Sequence, residues 1–286
     1  MTQITEGMNE QLFDTTIRED EYRDETSGLI YCKNCRTPRQ LKVEVGGEIR
    51  YPRTLCHCMQ ERRERENLSR RAKEFRDRIA RNRSVGLADP VLWEYTFAND
   101  KGYNPKQMAM AKKFVEKWET VSKGSTGLLL WGDVGTGKTF IAGCIANGLI
   151  DKAVPVLMTN FTRLLNRLTD MYSGDRNAYI DSLNAYPLLI IDDLGIERNS
   201  EFSREQVFNI IDSRYRSQRP MIITTNLTPE YMKTQPDMAQ RRIHDRVLER
   251  CVPVLVNDQN IRDRNASAHL AQMKALLQEV NNDRDR

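Results

Sequence analysis

The stretch Gly132-Asp133-Val134-Gly135-Thr136-Gly137-Lys138-Thr139 reads G-x-x-x-x-G-K-T, the pattern of a phosphate-binding loop. An apolar run at 127–131 precedes it and predicts a short buried strand. A run with helical character follows it at 140–150. Because this motif requires a glycine-rich loop between a strand and a helix, the stretch predicts a nucleoside triphosphate site rather than a chance glycine turn.

The residue types of this loop match what phosphate binding needs. Glycines let the backbone bend tightly, so that successive N–H groups and the positive end of the following helix face the same anion. Lys138 is expected to reach the β- and γ-phosphates, and Thr139 to place its hydroxyl on Mg²⁺. The residues expected to bind ATP are Gly132, Val134, Gly135, Thr136, Gly137, Lys138 and Thr139.

A second apolar run, at 188–191, ends in the carboxylates of Asp192 and Asp193. Buried parallel strands present residues at their carboxyl ends beside the phosphate loop, so this pair has the position of a Walker B motif. Asp192 is expected to bind Mg²⁺, directly or through water, and Asp193 to orient or deprotonate the attacking water. Glu197 is the alternative for the second role.

Further polar residues follow this pair along the chain. Another apolar run, at 221–225, ends at Asn226, which fits a sensor that holds water near the γ-phosphate. The arginine-rich stretch 241–246 can supply a cation to a neighbouring subunit's γ-phosphate and stabilise transition-state charge there, although a surface arginine cluster explains the same pattern. Arg262 can contact the nucleotide from within its own subunit.

Strand and helix patterns alternate through this part of the chain. Near-continuous apolar strands are predicted at 128–131, 154–159, 188–192, 221–225 and 251–256. Helices are predicted at 106–121, 140–150, 161–172 and 204–218. Such alternation predicts an α/β fold, a parallel sheet with flanking helices.

Four of the six cysteines lie close together, as Cys32-x-x-Cys35 and Cys56-His57-Cys58. The region 41–51 between them alternates and contains two glycines, as a β-hairpin does. Two ligand pairs on tight turns, brought together by a hairpin, predict a structural Zn²⁺ site of these four cysteines, which would let so small a module fold. Because C-x-C is tighter than C-x-x-C, His57 is an alternative ligand. Unliganded, reduced cysteines are the alternative to a metal site.

The bulk properties describe a chain of 286 residues with a net charge of +4. The excess positive charge lies at 61–83, where ten Arg or Lys stand against five Asp or Glu and a narrow apolar stripe recurs at helical spacing. We interpret this segment as a solvated connector helix, with a basic face toward a partner or nucleic acid as the alternative.

The N-terminal sequence and the hydropathy bear on location. Residues 1–28 are interpreted as a mobile polar tail, with a short segment that orders against a partner as the alternative. Residues 1–24 are polar and acidic and lack an apolar run, so we expect no signal peptide there. No run approaches the ~20 apolar residues of a membrane span, so we expect a cytoplasmic protein.

These patterns divide the chain into four predicted parts. They are an N-terminal module with the zinc site at 1–60, a charged helical linker at 61–94, an ATPase domain at 95–265, and a C-terminal helix and tail at 266–286. Within them, residues 84–104 contain prolines and a glycine around aromatic residues and are interpreted as an ordered linker that enters the ATPase domain.

The phosphate loop, the Asp192-Asp193 pair, the Thr-Thr-Asn strand end at 224–226 and the Arg-x-x-Asp-Arg box at 242–246 resemble an AAA+ ATPase of the DnaC/DnaI replicative helicase loader family. That family is related to DnaA and to the IstB-like ATPases, and the resemblance covers about residues 95–265. It implies ATP hydrolysis with Mg²⁺, with Arg242 as the arginine finger and Arg262 as the second sensor. Many AAA+ proteins have Asp-Glu in Walker B, and the shorter Asp193 leaves the catalytic base and the hydrolysis rate open.

The resemblance also implies partners. The central domain would bind single-stranded DNA as a homo-oligomer, and the cysteine-rich module, similar to that of DnaI-like loaders, would grip a hexameric replicative helicase during initiation of DNA replication. Two alternatives stay open. One is an IstB-like ATPase that assists a transposase, a group that usually lacks such a cysteine module. The other is a nucleotide-switched adaptor with little hydrolysis.

Overall fold

The computed structural model describes residues 16–195, 200–257, 261, 270, 273 and 274. The chain divides into two compact units, and the boundary falls between Arg76 and Asp77, inside a long helix. The domain boundaries expected at 60, 94 and 265 stay predictions. Most of the predicted C-terminal helix lies outside the described residues.

The first unit contains two small antiparallel hairpins. β1 (Glu21–Arg23) pairs with β2 (Ile30–Cys32), and β3 (Val43–Val45) pairs with β4 (Glu48–Arg50). The second hairpin turns at two glycines with positive φ, which suits the tight turns of two-residue hairpins. The hairpin predicted between the cysteine pairs is therefore confirmed.

Residues 16–28 belong to this fold, and the prediction of a mobile tail is wrong for them. Glu21 is buried, and its carboxylate accepts hydrogen bonds from the guanidinium groups of Arg39 and Arg53 at 2.9 and 2.6 Å. Burial alone would raise the pKa of Glu21, but hydrogen bonds from Arg53, the backbone N–H of Arg18 and Arg39 outweigh it and lower the pKa to about 2. The charged Glu21 thus ties β1 to the segments that follow β2 and β4.

A charged helix, α1 (His57–Gly86), begins inside the second cysteine pair. It confirms the connector helix predicted at 60–83 and extends it at both ends. Most of its side chains are exposed, and pairs such as Arg62–Glu66 and Arg65–Glu61 lie 3.7 and 3.5 Å apart along its surface. Exposed pairs of this kind stabilise a helix only slightly.

The second unit is built on a five-stranded sheet in which each neighbouring pair is parallel. The strand order is β6-β7-β8-β5-β9, so the strand before the phosphate loop lies between β8 and β9. The strands are β5 (Gly127–Trp131), β6 (Val156–Asn160), β7 (Leu188–Leu194), β8 (Met221–Thr225) and β9 (Cys251–Leu255). The predicted parallel α/β sheet is confirmed.

Helices cover both faces of this sheet. They are α2 (Pro105–Glu116), α3 (Trp118–Gly124), α4 (Lys138–Ile150), α5 (Phe161–Thr169), α6 (Ser173–Ser182), α7 (Glu201–Arg216), α8 (Pro229–Thr234) and α9 (Met238–Arg250). The sequence patterns did not predict α6, α8 or α9, and they joined α2 and α3 into one helix. In α6 only Ile180 is buried, so its apolar periodicity is weak.

The core lies on both faces of the sheet because neighbouring strand residues point in opposite directions. Leu130 belongs to the buried cluster that contains Ile145 of α4, whereas Leu129 belongs to the cluster that contains Leu164 of α5 and Ile210 of α7. Burial on both faces explains why the strands are continuous apolar runs. None of the helices in the described part of the chain is both long and apolar enough to cross a membrane.

Candidate nucleotide site and cysteine cluster

The phosphate loop joins β5 to α4 in a conformation that depends on its glycines. Gly135 and Gly137 have φ of 82° and 104°, the left-handed region that side chains disfavour. At Gly132 a side-chain carbon would meet the carbonyl oxygen of Val256 at 2.2 Å. The loop therefore lies against the chain after β9, which fixes its position at the carboxyl edge of the sheet.

Lys138 begins α4 and is buried beneath this loop. Its ammonium group donates hydrogen bonds to the carbonyl oxygens of Gly132 and Asp133 at 2.8 and 2.7 Å. These contacts hold the cation among loop residues whose N–H groups can bind phosphate, and its role toward the β- and γ-phosphates stays a prediction. Thr136 is also buried, and its hydroxyl donates to the carbonyl of Asp133 at 2.9 Å, which closes the turn.

Thr139, the last residue of the motif, faces the end of β7. Its hydroxyl lies 3.1 Å from both carboxylate oxygens of Asp192. Burial raises the pKa of Asp192, and the neighbouring charge of Asp193 adds to this, while hydrogen bonds from Thr224 and Thr139 act in the opposite direction. A hydroxyl and a carboxylate converge here in a desolvated place, and these oxygen donors suit Mg²⁺.

Asp193 occupies an irregular point of the sheet. The register between β7 and β8 shifts between Ile191 and Leu194, so β7 contains an extra residue there. Asp193 itself has a φ of 62°, in the left-handed region where Asp and Asn are the best tolerated non-glycine residues. Such bulges re-aim side chains next to functional sites, and Asp193 lines the cavity beside the phosphate loop.

The cavity at this edge of the sheet has a volume of about 440 Å³, which is in the range of small-molecule sites. Loop residues from Val134 to Thr139 line one side, and Asp193 and Asn226 line another. The structure thus brings together the phosphate loop, the second Walker B carboxylate and the predicted sensor. Residues 94–104 line the remaining wall, and the sequence interpretation treated them as a linker.

That wall is held to α4 by polar and aromatic contacts. Asn147 donates hydrogen bonds to the carbonyl oxygens of Leu92 and Tyr95 at 2.8 and 3.0 Å. The Tyr95 ring lies 5.4 Å from the Phe140 ring, centroid to centroid. Asn104 is buried, and its amide donates to the carbonyl of Thr136 in the phosphate loop at 2.9 Å. Sequence reasoning missed these residues because none belongs to a nucleotide-binding motif.

Of the two candidate arginines, only Arg242 lies in the part of the chain that the structure describes. Arg242 is exposed on α9 and does not line the cavity of its own chain. Arg262 lies outside the described residues, as does Glu197, so their roles stay predictions. The residue before Arg262 is described, and the backbone N–H of Ile261 donates to the carbonyl of Gly135 at 2.9 Å.

The four cysteines of the first unit form one cluster. Their sulfur atoms lie within 4.8 Å of one another, with Cys32 to Cys58 at 3.7 Å and Cys56 to Cys58 at 3.4 Å. Zn–S bonds of about 2.3 Å in a tetrahedron place sulfurs about 3.8 Å apart, so Cys32, Cys35, Cys56 and Cys58 fit a Zn²⁺ ion. His57 points away from them, with an exposed ring 3.7 Å from Glu61.

The electrostatics of the cluster also favour a cation. The hydroxyl of Thr37 and the backbone N–H of Cys58 lower the pKa of the Cys35 thiol to about 5. Hydrogen bonds with the sulfurs of Cys56 and Cys35 raise the pKa of the Cys58 thiol to about 12, because they favour its protonated form. Arg39 is buried and lies 3.5 Å from the Cys32 sulfur, where it can offset negative charge. Four sulfurs this close suit a metal ion.

A parallel sheet with a phosphate loop after one strand, and paired aspartates and a polar residue after two others, defines a P-loop ATP-binding protein of the AAA+ class. The chain belongs to the family of IstB-like ATP binding proteins, which it matches over residues 53–269.

Individual relatives include helicase loaders. The chain is similar to the replicative helicase loader DnaI of Bacillus subtilis (strain 168), with 28% identity over 56% of this chain and 55% of that protein. It is also similar to the replicative helicase loader DnaC of Escherichia coli (strain K12), with 25% identity over 49% of this chain and 56% of that protein. The chain thus spans just over half the length of these two relatives.

Solved structures give the same picture of the fold. A crystal structure of DnaI superposes with a TM-score of 0.50 and 25% identity, covering 60% of this chain and 93% of that one. A crystal structure of the DnaC helicase loader superposes with a TM-score of 0.51 and 23% identity, covering 60% of this chain and 100% of that one. The second likeness bears on the fold alone.

Proposed function

We propose that this protein is an ATP-dependent loader of a hexameric replicative DNA helicase. The observation that carries the proposal is the convergence of Lys138, Thr139, Asp192, Asp193 and Asn226 at one edge of the sheet. Similarity to DnaI and DnaC supports the purpose of that site.

Each residue of the site has a role in the proposed hydrolysis. Lys138 and the N–H groups of the loop bind the β- and γ-phosphates, the lysine exchanging its two carbonyl contacts for phosphate oxygens. Thr139 and Asp192 hold Mg²⁺, which neutralises charge on the phosphates when bound. Asp193 and Asn226 face the cavity and orient the attacking water, Asp193 accepting its proton.

Oligomerisation completes the site in this proposal. Arg242 is exposed on α9 and away from its own cavity, which suits a cation presented to the nucleotide of a neighbouring subunit. An arginine in that position stabilises charge that develops on the transferred phosphoryl group. ATP binding would therefore favour assembly, and hydrolysis would favour release.

In this proposal the cysteine cluster stabilises the module that contacts the helicase. Cys32, Cys35, Cys56 and Cys58 hold a structural Zn²⁺, and the module that they stabilise contacts the helicase. The observation that supports a metal is the mutual approach of four sulfurs within 4.8 Å. Closed coordination by four thiolates leaves no position for substrate, so the metal supplies folding energy rather than catalysis.

Single-stranded DNA would bind on the second unit, where basic and aromatic side chains lie together on α5, α6 and α7. The guanidinium of Arg167 stacks on the Tyr179 ring at 4.9 Å, and that of Arg176 on the Phe202 ring at 5.0 Å. Tyr172, between α5 and α6, is 86% exposed. Exposed aromatic rings stack on bases and arginines contact phosphates, which is how proteins bind single strands without reading sequence.

Steady-state ATPase activity with and without single-stranded DNA tests the enzymatic part. The wild type should hydrolyse ATP faster than Lys138→Ala, and DNA should change the wild-type rate. If the wild type is no faster than Lys138→Ala, the proposed ATP hydrolysis is contradicted. The alternative of a nucleotide-switched adaptor is then favoured.

Purified hexameric replicative helicases, offered to the full chain with ATP, test the partner. Co-elution with a helicase, and ATP-dependent transfer of that helicase onto single-stranded DNA, are the expected results. Binding to a transposase and to no helicase would instead favour the IstB-like assistant. For DNA, Tyr172→Ala should weaken oligonucleotide binding roughly 10-fold through lost stacking, whereas Tyr231→Ala, an exposed tyrosine on α8, should not.

A further inference from the structure

We propose that Thr224 is a positioning residue for both Walker B aspartates, a role that the Thr-Thr-Asn pattern at 224–226 does not by itself assign. Thr224 lies on β8 and is fully buried. Its hydroxyl donates a hydrogen bond to a carboxylate oxygen of Asp192 at 2.6 Å and accepts one from the backbone N–H of Asp193 at 2.9 Å. One side chain therefore contacts both acids.

The contact with Asp193 determines where that carboxylate points. The extra residue in β7 takes Asp193 out of regular pairing with β8, so its N–H needs an acceptor other than a strand carbonyl. The Thr224 hydroxyl is that acceptor. It stabilises the left-handed conformation of Asp193, which otherwise costs free energy for a residue with a side chain.

The contact with Asp192 matters when the metal binds. Thr139 also approaches Asp192, but its hydroxyl is the group that would turn to Mg²⁺. Thr224 keeps its hydrogen bond to one carboxylate oxygen of Asp192 while the other oxygen is available to the metal, so the carboxylate does not rotate. A partner that orients a metal ligand in this way changes metal affinity or activity by about 10- to 100-fold when it is removed.

The chain contains a matched control on the same strand. Thr225 is also fully buried, and its hydroxyl donates to the carbonyl of Leu194 at 2.7 Å and accepts from the N–H of Leu227 at 3.1 Å. Thr224→Val and Thr225→Val each remove one buried hydroxyl with nearly the same shape. They differ in that only Thr224 touches the two aspartates.

Two measurements on the full chain test the inference, which rests on the proposed function of the site. The first is the Mg²⁺ concentration that half-saturates binding of a fluorescent, slowly hydrolysed ATP analogue. The second is kcat and KM for ATP. Thr224→Val should raise the Mg²⁺ requirement and lower kcat, each by about 10-fold or more, with little change in KM. Thr224→Ser, which keeps the hydroxyl, and Thr225→Val should stay within about threefold of wild type on both.

Equal effects of Thr224→Val and Thr225→Val, or a serine variant as impaired as valine, would overturn the positioning role. If Thr224→Val does not fold, Thr224→Ala removes the same hydroxyl without adding bulk and repeats the comparison. A wild type that binds the analogue with Mg²⁺ but does not hydrolyse ATP would contradict the proposed ATPase. In that case the Mg²⁺ titration still decides for or against Thr224.

Discussion

The hydroxyl of Thr139 lies 3.1 Å from both carboxylate oxygens of Asp192, which joins the start of α4 to the end of β7. These residues are far apart in the sequence, and the parallel sheet brings them together because the carboxyl ends of β5 and β7 share one edge. The contact links the phosphate loop to the acid that we propose binds Mg²⁺. Substitution of Asp192 should therefore impair function without reducing stability.

Asp192→Asn should abolish the effect of Mg²⁺ on nucleotide binding without destabilising the fold. Burial raises the pKa of Asp192, so its ionisation costs folding stability, and this cost is complete once the pH is above the raised pKa. A neutral amide removes this cost, and the free energy of unfolding at neutral pH should be unchanged or larger. Hydrolysis should fall by about 100-fold or more, because the metal is worth several kcal/mol to the transition state. Thermal unfolding and analogue binding with Mg²⁺ or EDTA check both statements, and a clear loss of stability would contradict the first.

Asp193→Asn should leave nucleotide binding intact and slow turnover. Asparagine tolerates the left-handed conformation at φ 62°, so the bulge in β7 should persist. Without a carboxylate, no base at this position can take a proton from water, and kcat should fall by about 100-fold or more with a small change in KM. Glu197→Gln is the comparison, since Glu197 is the alternative base. The prediction fails if Glu197→Gln loses turnover and Asp193→Asn does not.

Cys58→Ser should lose bound metal and unfold the first unit. Wild type purified without chelator should contain about one Zn²⁺ per chain, because four closely approaching sulfurs complete a tetrahedral site. His57→Ala is the matched control, since His57 lies between two of these cysteines and its ring is exposed. Metal analysis and circular dichroism of both variants check this. Metal-free wild type, or zinc lost equally from His57→Ala, would contradict a four-cysteine site.

The sequence predicted the main features of the sheet and the motif residues because each has a local signal. Apolar runs give β5 and β7, and a fixed spacing gives Lys138 and Thr139. Thr224 belongs to the Thr-Thr-Asn strand end, but a threonine in an apolar strand is also an ordinary strand former, so the pattern assigned it no role. Its role arises from the bulge in β7, which brings two aspartates against one hydroxyl.

The position of the cavity wall at 94–104 could not be predicted from the sequence either. Prolines and a glycine around aromatic residues predict an ordered linker, and the structure has two short 3-10 helices there, at Pro90–Glu94 and Phe97–Asn99. What places the connector at the nucleotide site is the side chain of Asn147, which binds two of its carbonyls, and that of Asn104, which binds the phosphate loop. Contacts between residues this far apart in the chain leave no periodicity to detect.

Arg242→Ala should reduce ATP hydrolysis without reducing the stability of the fold. Arg246→Ala should reduce the stability of the fold without reducing ATP hydrolysis. The two arginines lie one turn apart on α9, but Arg246 pairs with the buried Asp212 at 2.7 Å and stacks on the Phe208 ring at 4.5 Å. Its loss leaves a buried acid with fewer partners, so the free energy of unfolding should fall by about 1–3 kcal/mol.

Arg242 is exposed, and a transition-state arginine supplied to a neighbour is worth roughly 10³-fold in turnover. Mixing Arg242→Ala with Lys138→Ala should restore part of the activity. In a mixed oligomer the intact loop of the Arg242→Ala chain faces the intact arginine of the Lys138→Ala chain, so some interfaces contain a complete site. The ATPase rate across mixing ratios measures this recovery. A rate that never exceeds that of the two variants alone would show that Arg242 does not act on the neighbouring subunit.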